Sequence, residues 1–275
     1  MTTIAAMHEL AIIGAGTMAE AIARGILRAG LLSADQMIAS DVTEARRSLF
    51  QDDLHVRAVS DNAAAVRSAK TILLSVKPQQ MEAVLGEIGR HASPDALFVS
   101  IAAGVSSASI ERHLGAGQNW RIVRTMPNTP MLVGEGIVAI SPGRHATPQD
   151  LAQARRIFES AAGVIELPEE KLDAVTALSG SGPAYFFFLV EQMIRAGMEL
   201  GLTREQAHTL ATRTALGSAR MLVTCPDSPE ELRRKVTSPN GTTQAAIETM
   251  QSRQVPEGIV AAILRAAERS RELGS

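Results

Sequence analysis

The feature that most constrains this chain is the run LAIIGAGTMAEAIARGIL, residues 10–27. A short apolar stretch, Leu10–Ile13, meets Gly14, Ala15, Gly16, Thr17, Met18 and Ala19, then gives way to Ala and Ile recurring at helical spacing. This is the pattern of a strand, a tight turn and a helix whose N-terminus can receive a dinucleotide pyrophosphate. Gly14 permits the turn, Gly16 lets the backbone approach phosphate, and Ala19 in the third glycine position still allows helix and strand to pack closely. Asp41 follows Ala19 by 22 residues, at the end of the next apolar run, Met37-Ile38-Ala39-Ser40. An acid there, with Ser40 beside it, can accept hydrogen bonds from the adenosine ribose. The competing reading is a glycine turn in an α/β sheet that binds nothing. The strand before it, the helix after it and the acid downstream favour the nucleotide site.

Up to residue 168, short apolar runs alternate with helical stretches. The pattern predicts strands at Leu10–Ile13, Gln36–Ser40, His55–Ala58, Thr71–Val76, Leu97–Ile101, Arg121–Thr125, Ile137–Ser141 and Val164–Leu167. Helices are expected near 17–30, 43–52, 61–68, 79–90, 106–114 and 148–161. Strands rich in Ile, Val and Leu with helices between them imply an α/β domain whose mostly parallel sheet is covered on both faces. Ligands of such sheets lie at the carboxyl edge of the strands. After Pro168 the strand pattern stops, so the chain divides into 1–168 and an all-α half, 169–275. Breaks in that half are expected at Gly180–Pro183, Gly201–Thr203, Pro226–Pro229 and Ser238–Gly241. The segment Ala184–Leu200, AYFFFLVEQMIRAGMEL, is apolar on nearly every face and calls for burial all round. About 100 residues of helix do not easily provide that alone, which points to a second subunit, the alternative being that the helix packs entirely against the first domain.

The charge, 27 basic against 29 acidic residues with no long block of either sign, gives no support for a nucleic-acid or membrane-surface partner. A single cysteine, Cys225, cannot form an internal disulfide and suits a reducing compartment. Residues 1–9 lack the pattern of a signal peptide and read as a short tail, and no stretch is apolar enough to span a bilayer, so a cytoplasmic location is expected. The six histidines are scattered without metal-ligand spacing, and no metal site is expected. Cys225 has no partner motif for nucleophilic catalysis, and neither a G-x-S-x-G nor a Walker sequence occurs. Hydride transfer needs neither, because the cofactor carries the reactive atom.

Five further segments carry candidate chemistry. Ser75-Val76-Lys77-Pro78 ends the fourth strand, where Lys77 reaches a phosphate or simply stands in solvent. Ser100-Ile101-Ala102-Ala103-Gly104-Val105 ends the fifth, its small residues suited to a flat ring or to tight packing. Arg124-Thr125-Met126-Pro127-Asn128-Thr129-Pro130 ends the sixth, with two prolines that present Asn128 and Thr129 or simply shape a structural turn. In the helical half, LSGSGPAYFFF (178–188) and VTSPNGTT (236–243) each precede a helix start, where exposed N–H groups bind an anion such as a carboxylate or are merely capped by Ser or Thr.

Together IIGAGTMAEAI, SVKP, SIAAGV, RTMPNTP, DAVTALSGSGPAYFF and SPNGTT, in this order, resemble the pyrroline-5-carboxylate reductases over residues 10–273. The resemblance implies an N-terminal Rossmann domain, a C-terminal helical dimerisation domain, and homodimers often assembled into pentamers of dimers. It implies reduction of 1-pyrroline-5-carboxylate to L-proline with NADH or NADPH. The Gly14–Ala19 turn would hold the pyrophosphate, Val76, Lys77 and Pro78 would line the ribose and adenine side, and Asn62 would meet the adenosine ribose. Ala102, Ala103 and Gly104 would flank the nicotinamide, with Asn128 and Thr129 near it. Backbone N–H groups around Asn240, Gly241 and Thr242, with Ser238, would hold the substrate carboxylate, and Thr243, the one candidate catalytic residue, would approach the ring nitrogen. Asn240 departs from the family's usual glycine but tolerates left-handed backbone angles. Asp41, where the family often has a small polar residue, would repel the extra phosphate of NADPH and favour NADH. Arg46 and Arg47, further along, could swing back to pair with that phosphate. Two other readings remain open at this point: a related imine or hydroxyacid reductase, and a non-catalytic protein that senses NAD(H).

Overall fold

Alternating apolar and helical runs fold into an eight-stranded sheet in the computed structural model, which describes residues 8–274. The chain runs β1 (His8–Ile13), α1 (Thr17–Arg28), β2 (Met37–Ser40), α2 (Glu44–Ser48), β3 (Arg57–Val59), α3 (Asn62–Val66), β4 (Ala69–Leu74), α4 (Met81–Ile88), β5 (Leu97–Ser100), α5 (Ser107–Leu114), β6 (Arg121–Met126), β7 (Gly136–Pro142), α6 (Pro148–Glu159) and β8 (Ala162–Glu166). The strand order is β3-β2-β1-β4-β5-β6-β7-β8, and every pairing is parallel except β6 with β7. The order reverses between β1 and β4, and sheets of this kind take their ligands at the carboxyl ends of the strands that flank such a reversal.

Alternation along β1 shows how the sheet is covered. Leu10 and Ile12 join the core formed with Ile22 and Ile26 of α1 and Ile157 and Phe158 of α6. Ala11 and Ile13 join the opposite core, with Val66 of α3, Leu85 and Ile88 of α4, and Ile110 of α5. Burying each of these larger side chains contributes roughly 1.5–3 kcal/mol. All eight expected strands are present, with ends displaced by one or two residues. The tail expected at residues 1–9 falls largely outside the described residues, β1 beginning at His8.

The remaining helices are α7 (Leu172–Val175), α8 (Gly182–Glu199), α9 (Arg204–Thr224), α10 (Pro229–Lys235), α11 (Thr242–Ser252) and α12 (Val255–Gly274). Two features differ from expectation. The gap at Gly180–Pro183 narrows to Ser181, because Thr176–Gly180 form a wide π-type turn that continues α7 and α8 begins at Gly182. A further break separates α11 from α12: Gln254 takes a left-handed φ of 58°, and Pro256 follows in the first turn of α12. By compactness the chain forms two units: one runs to Ser181 and resumes at Ala266, the other is Gly182–Arg265. Leu172 and Ala177 are buried in the first unit, and Ser270 Oγ of α12 donates to Asp173 Oδ1 at 2.7 Å. In the second unit α8 does not find its burial within one chain: Phe186, Phe187 and Phe188 are 62%, 63% and 65% exposed. No helix among the described residues is long and apolar enough to cross a membrane.

Candidate active site

In the first unit the glycine turn is held in place by its neighbours. Gly14 has φ +93°, and a Cβ there would stand 2.8 Å from the Ser75 carbonyl oxygen and 2.9 Å from Val76 Cγ1. Only glycine fits both the angle and the space. Gly16 caps α1 without a side-chain bond, and a Cβ on it would meet nothing within 4 Å. The N-terminus of α1 therefore opens onto free space with its first N–H groups uncapped, which fits a pyrophosphate. Ala15 and Ala19 are fully buried beneath the turn.

Charged side chains from the second strand's end brace this turn. Asp41 Oδ2 accepts from the Ala15 N–H at 2.9 Å, and Oδ1 accepts from the Thr43 N–H at 2.8 Å. Each carboxylate oxygen keeps acceptor capacity, so a ribose hydroxyl still has a partner there. Arg46 Nε donates to the Ala15 carbonyl at 2.6 Å, and its terminal nitrogen lies 2.9 Å from Glu20 Oε2. Glu20 Oε1 also accepts from Arg24 Nε at 2.9 Å. Burial alone would raise the Glu20 carboxyl, but the hydrogen bonds and charges of Arg46 and Arg24 hold it below its ordinary value. Arg47 donates to the carbonyls of Asp41 and Val42, both at 2.9 Å. Both arginines are thus engaged with backbone carbonyls of this region.

The other expected cofactor residues of this unit stand at the carboxyl ends of their strands. Buried Ser40 donates to Asn62 Oδ1 at 2.8 Å, and Asn62 Nδ2 donates to Glu87 Oε2 at 3.0 Å, so these two are brought together. Val76 abuts Gly14, Lys77 is exposed, and Pro78 opens a short helical turn. Ala102 is buried and hydrogen-bonds through its N–H to Ser100 Oγ at 3.3 Å, Ala103 is half-buried, and Gly104 takes φ +77°. Asn128 turns its Oδ1 to the Ile137 N–H at 2.9 Å, bracing the loop between β6 and β7, while Thr129 is exposed. Sequence reading did not find the brace beneath the loop after β5. There Glu169 accepts from the Ser107 N–H at 2.7 Å, takes the Ser107 hydroxyl, and lies 3.3 Å from buried Arg124. Its partners stand 62 and 45 residues away, and no local pattern signals such a contact.

In the second unit the SPNGTT turn opens α11. Asn240 takes φ +60°, as its tolerance of left-handed angles allows. Gly241 caps the helix with no side-chain bond, and a Cβ on it would stand 2.4 Å from Ser238 Oγ. One part of the expectation is corrected here. The Asn240 N–H already donates to Gln244 Oε1 at 2.8 Å and the Gly241 N–H to the Ser238 carbonyl at 3.0 Å. The donors left for a carboxylate are those of the first helical turn, from Thr242, Thr243 and Gln244. Ser238 and Thr242 are exposed and Thr243 half-buried. The described residues hold no group of three His, Cys, Asp or Glu able to bind a metal ion.

Residues 169–273 match the family described as pyrroline-5-carboxylate reductase dimerisation, and residues 9–104 the family described as NADP oxidoreductase, coenzyme F420-dependent. A pyrroline-5-carboxylate reductase of Methanosarcina acetivorans is 40% identical over 267 residues, 97% of this chain and 98% of its own. The solved structure of a pyrroline-5-carboxylate reductase from Coxiella burnetii matches with a TM-score of 0.87 at 33% identity, covering 98% of this chain and 99% of the other. That of Plasmodium falciparum pyrroline carboxylate reductase with NADP bound matches with a TM-score of 0.88 at 28% identity, covering 98% of each chain.

Proposed function

The chain belongs to the pyrroline-5-carboxylate reductases, and from that premise we propose that it reduces 1-pyrroline-5-carboxylate to L-proline with NADH or NADPH, the last step of proline biosynthesis. The observation that carries this reading is the start of α11. A bare helix N-terminus behind Ser238-Pro-Asn-Gly241 offers two threonine N–H groups to a small carboxylate, outside the dinucleotide fold. The reduced nicotinamide supplies a hydride to the C=N carbon when bound. The chain's residues position the reactants. Thr242 and Thr243 hold the carboxylate through their N–H groups, with Ser238 packed beneath Gly241. Thr243 Oγ1 hydrogen-bonds the ring nitrogen. Its hydroxyl is too weak an acid to drive protonation, so it accepts a hydrogen bond from the N–H of an imine that is already protonated, or passes a proton from water to a neutral one.

In the first unit, Gly14 to Ala19 hold the pyrophosphate. Ser40, Asp41 and Asn62, with Val76, Lys77 and Pro78, hold the adenosine side. Ala102, Ala103 and Gly104, with Asn128 and Thr129, flank the nicotinamide. Residues 1–168 serve the dinucleotide and 169–275 the substrate and the dimer contact, with dimers assembling into pentamers of dimers in the cytoplasm. Pyrroline-5-carboxylate-dependent oxidation of NADH or NADPH tests the activity. Turnover of hydroxyacids or other imines in its place would sink it.

Asp41 makes NADH the preferred cofactor, with NADPH still used. Charge repulsion at a partly exposed site is worth about 1–2 kcal/mol, roughly tenfold in selectivity. Because Asp41 also holds the Ala15 N–H, Asp41→Ser is expected to weaken both cofactors while moving the kcat/KM ratio toward NADPH. A ratio that stays put removes Asp41 as the selector.

A further inference from the structure

We propose that Glu20 controls which cofactor this chain selects, by holding Arg46 against the glycine turn and out of service as a phosphate ligand. The proposal rests on the dinucleotide reading of that turn. At the end of the second strand of such folds, an acid reads the ribose 2′-hydroxyl, whereas an arginine nearby accepts a 2′-phosphate. This chain carries both types five residues apart, Asp41 and Arg46, and both touch the same residue of the turn. Asp41 takes the Ala15 N–H at 2.9 Å and Arg46 the Ala15 carbonyl at 2.6 Å.

Selectivity then depends on which charge is free to meet a ligand. The Arg46 guanidinium is matched by Glu20 at 2.9 Å, with the two side chains 26% and 17% exposed. Glu20 reaches it from the first turn of α1, where its own charge also favours the helix N-terminus. Arg24, one turn further on, shares the carboxylate. A 2′-phosphate would have to compete with Glu20 for Arg46, and that carboxylate would add its own repulsion. The Asp41 carboxylate is met by the backbone N–H groups of Ala15 and Thr43 and keeps acceptor capacity for the ribose. Arg47 is the rival candidate, since it binds two carbonyls and leaves its charge unmatched by them.

The test uses binding without turnover. Calorimetry compares adenosine 2′,5′-bisphosphate with adenosine 5′-monophosphate, in the full chain and in three variants. Glu20→Gln keeps the shape and removes the charge. The bisphosphate-to-monophosphate affinity ratio is expected to rise about tenfold in Glu20→Gln, the scale of one unmatched charge at a partly exposed site. It should stay at the parent value in Arg46→Gln and return to it in Glu20→Gln with Arg46→Gln. Using a ratio cancels any general loosening of the turn, which a purely structural role would produce. A ratio unmoved by Glu20→Gln overturns the proposal, and so does one still raised in the double variant, which assigns the effect to Arg24 or Arg47 instead. A ratio that falls in Arg46→Gln alone overturns it as well, because Arg46 would then already serve the phosphate. If neither nucleotide binds the parent chain, the dinucleotide reading falls and this proposal falls with it.

Discussion

Strand β1 and helix α8 are written in similarly apolar residues, yet they meet opposite fates in one chain. Leu10 to Ile13 are fully enclosed, whereas Phe186 to Phe188 stand more than half exposed. The strand has a neighbour on each edge and helices over both faces, all from its own unit. In the unit Gly182–Arg265 the buried apolar side chains are only Ala207 and Ala211. The difference teaches that apolar sequence reports burial in the finished assembly, and that the α/β unit is finished within one chain while the helical unit is not. The dimerisation family matched by residues 169–273 says the same from the side of homology.

Substitutions can break this contrast. Gly14→Ala should have the largest effect. It adds a Cβ within 3 Å of Ser75 and Val76 at a backbone angle that alone costs about 1–3 kcal/mol. NADH affinity should fall by more than about a hundredfold, the reach of that strain and overlap combined, in calorimetric titration. Retained affinity would mean that the turn is not the cofactor's seat. Phe187→Asp comes next. Placing a carboxylate in a covered subunit contact costs about 3–5 kcal/mol, so light scattering should show a smaller assembly or aggregation, with the midpoint of unfolding now steeply dependent on concentration. An unaltered mass would show that the α8 face is uncovered in solution. Gly241→Val crowds Ser238 and should raise the KM for the imine by about tenfold or more while leaving NADH affinity as it was, because the cofactor residues belong to the other unit. If the imine constant does not move, the turn before α11 is not the carboxylate seat.

The smallest effect concerns acid. Glu20 has its folded pKa below the ordinary 4.5, so its pairing stabilises fully above that value and is lost as the pH falls through the lowered folded pKa. Thermal melts of the parent and Glu20→Gln should differ by at most about 1 kcal/mol at neutral pH, since the pair is partly open to solvent. They should converge in acid, as the carboxylate is protonated in both folded and unfolded chains. A difference that grows on acidification would reverse the sign and exclude the pair as the source.

Much of this was legible in sequence because the informative residues act locally. Leu10–Ile13 and the glycines after it specify strand, turn and helix within ten residues. Asn240 could be read as tolerating a left-handed angle from its own side chain. The break at Gln254 was missed because glutamine is not a usual helix terminator, although Pro256 was a signal for it. The donors assigned to the carboxylate were too many, since Asn240 and Gly241 spend their N–H groups on Gln244 and Ser238, which depends on how the loop closes. The Glu20–Arg46–Ala15 brace was illegible for another reason. Its contacts span 26 and 31 residues, and only the sheet brings them together.

That brace has a consequence for the speed and economy of recognition. Ala15 is gripped at its N–H by Asp41 and at its carbonyl by Arg46. The turn therefore surrenders its conformational freedom during folding, when the sheet's contacts offset the loss. Ordering a residue costs about 1–2 kcal/mol. A nucleotide arriving at a turn already in its final shape is spared that entropy, so more of each contact it makes with the backbone survives as affinity.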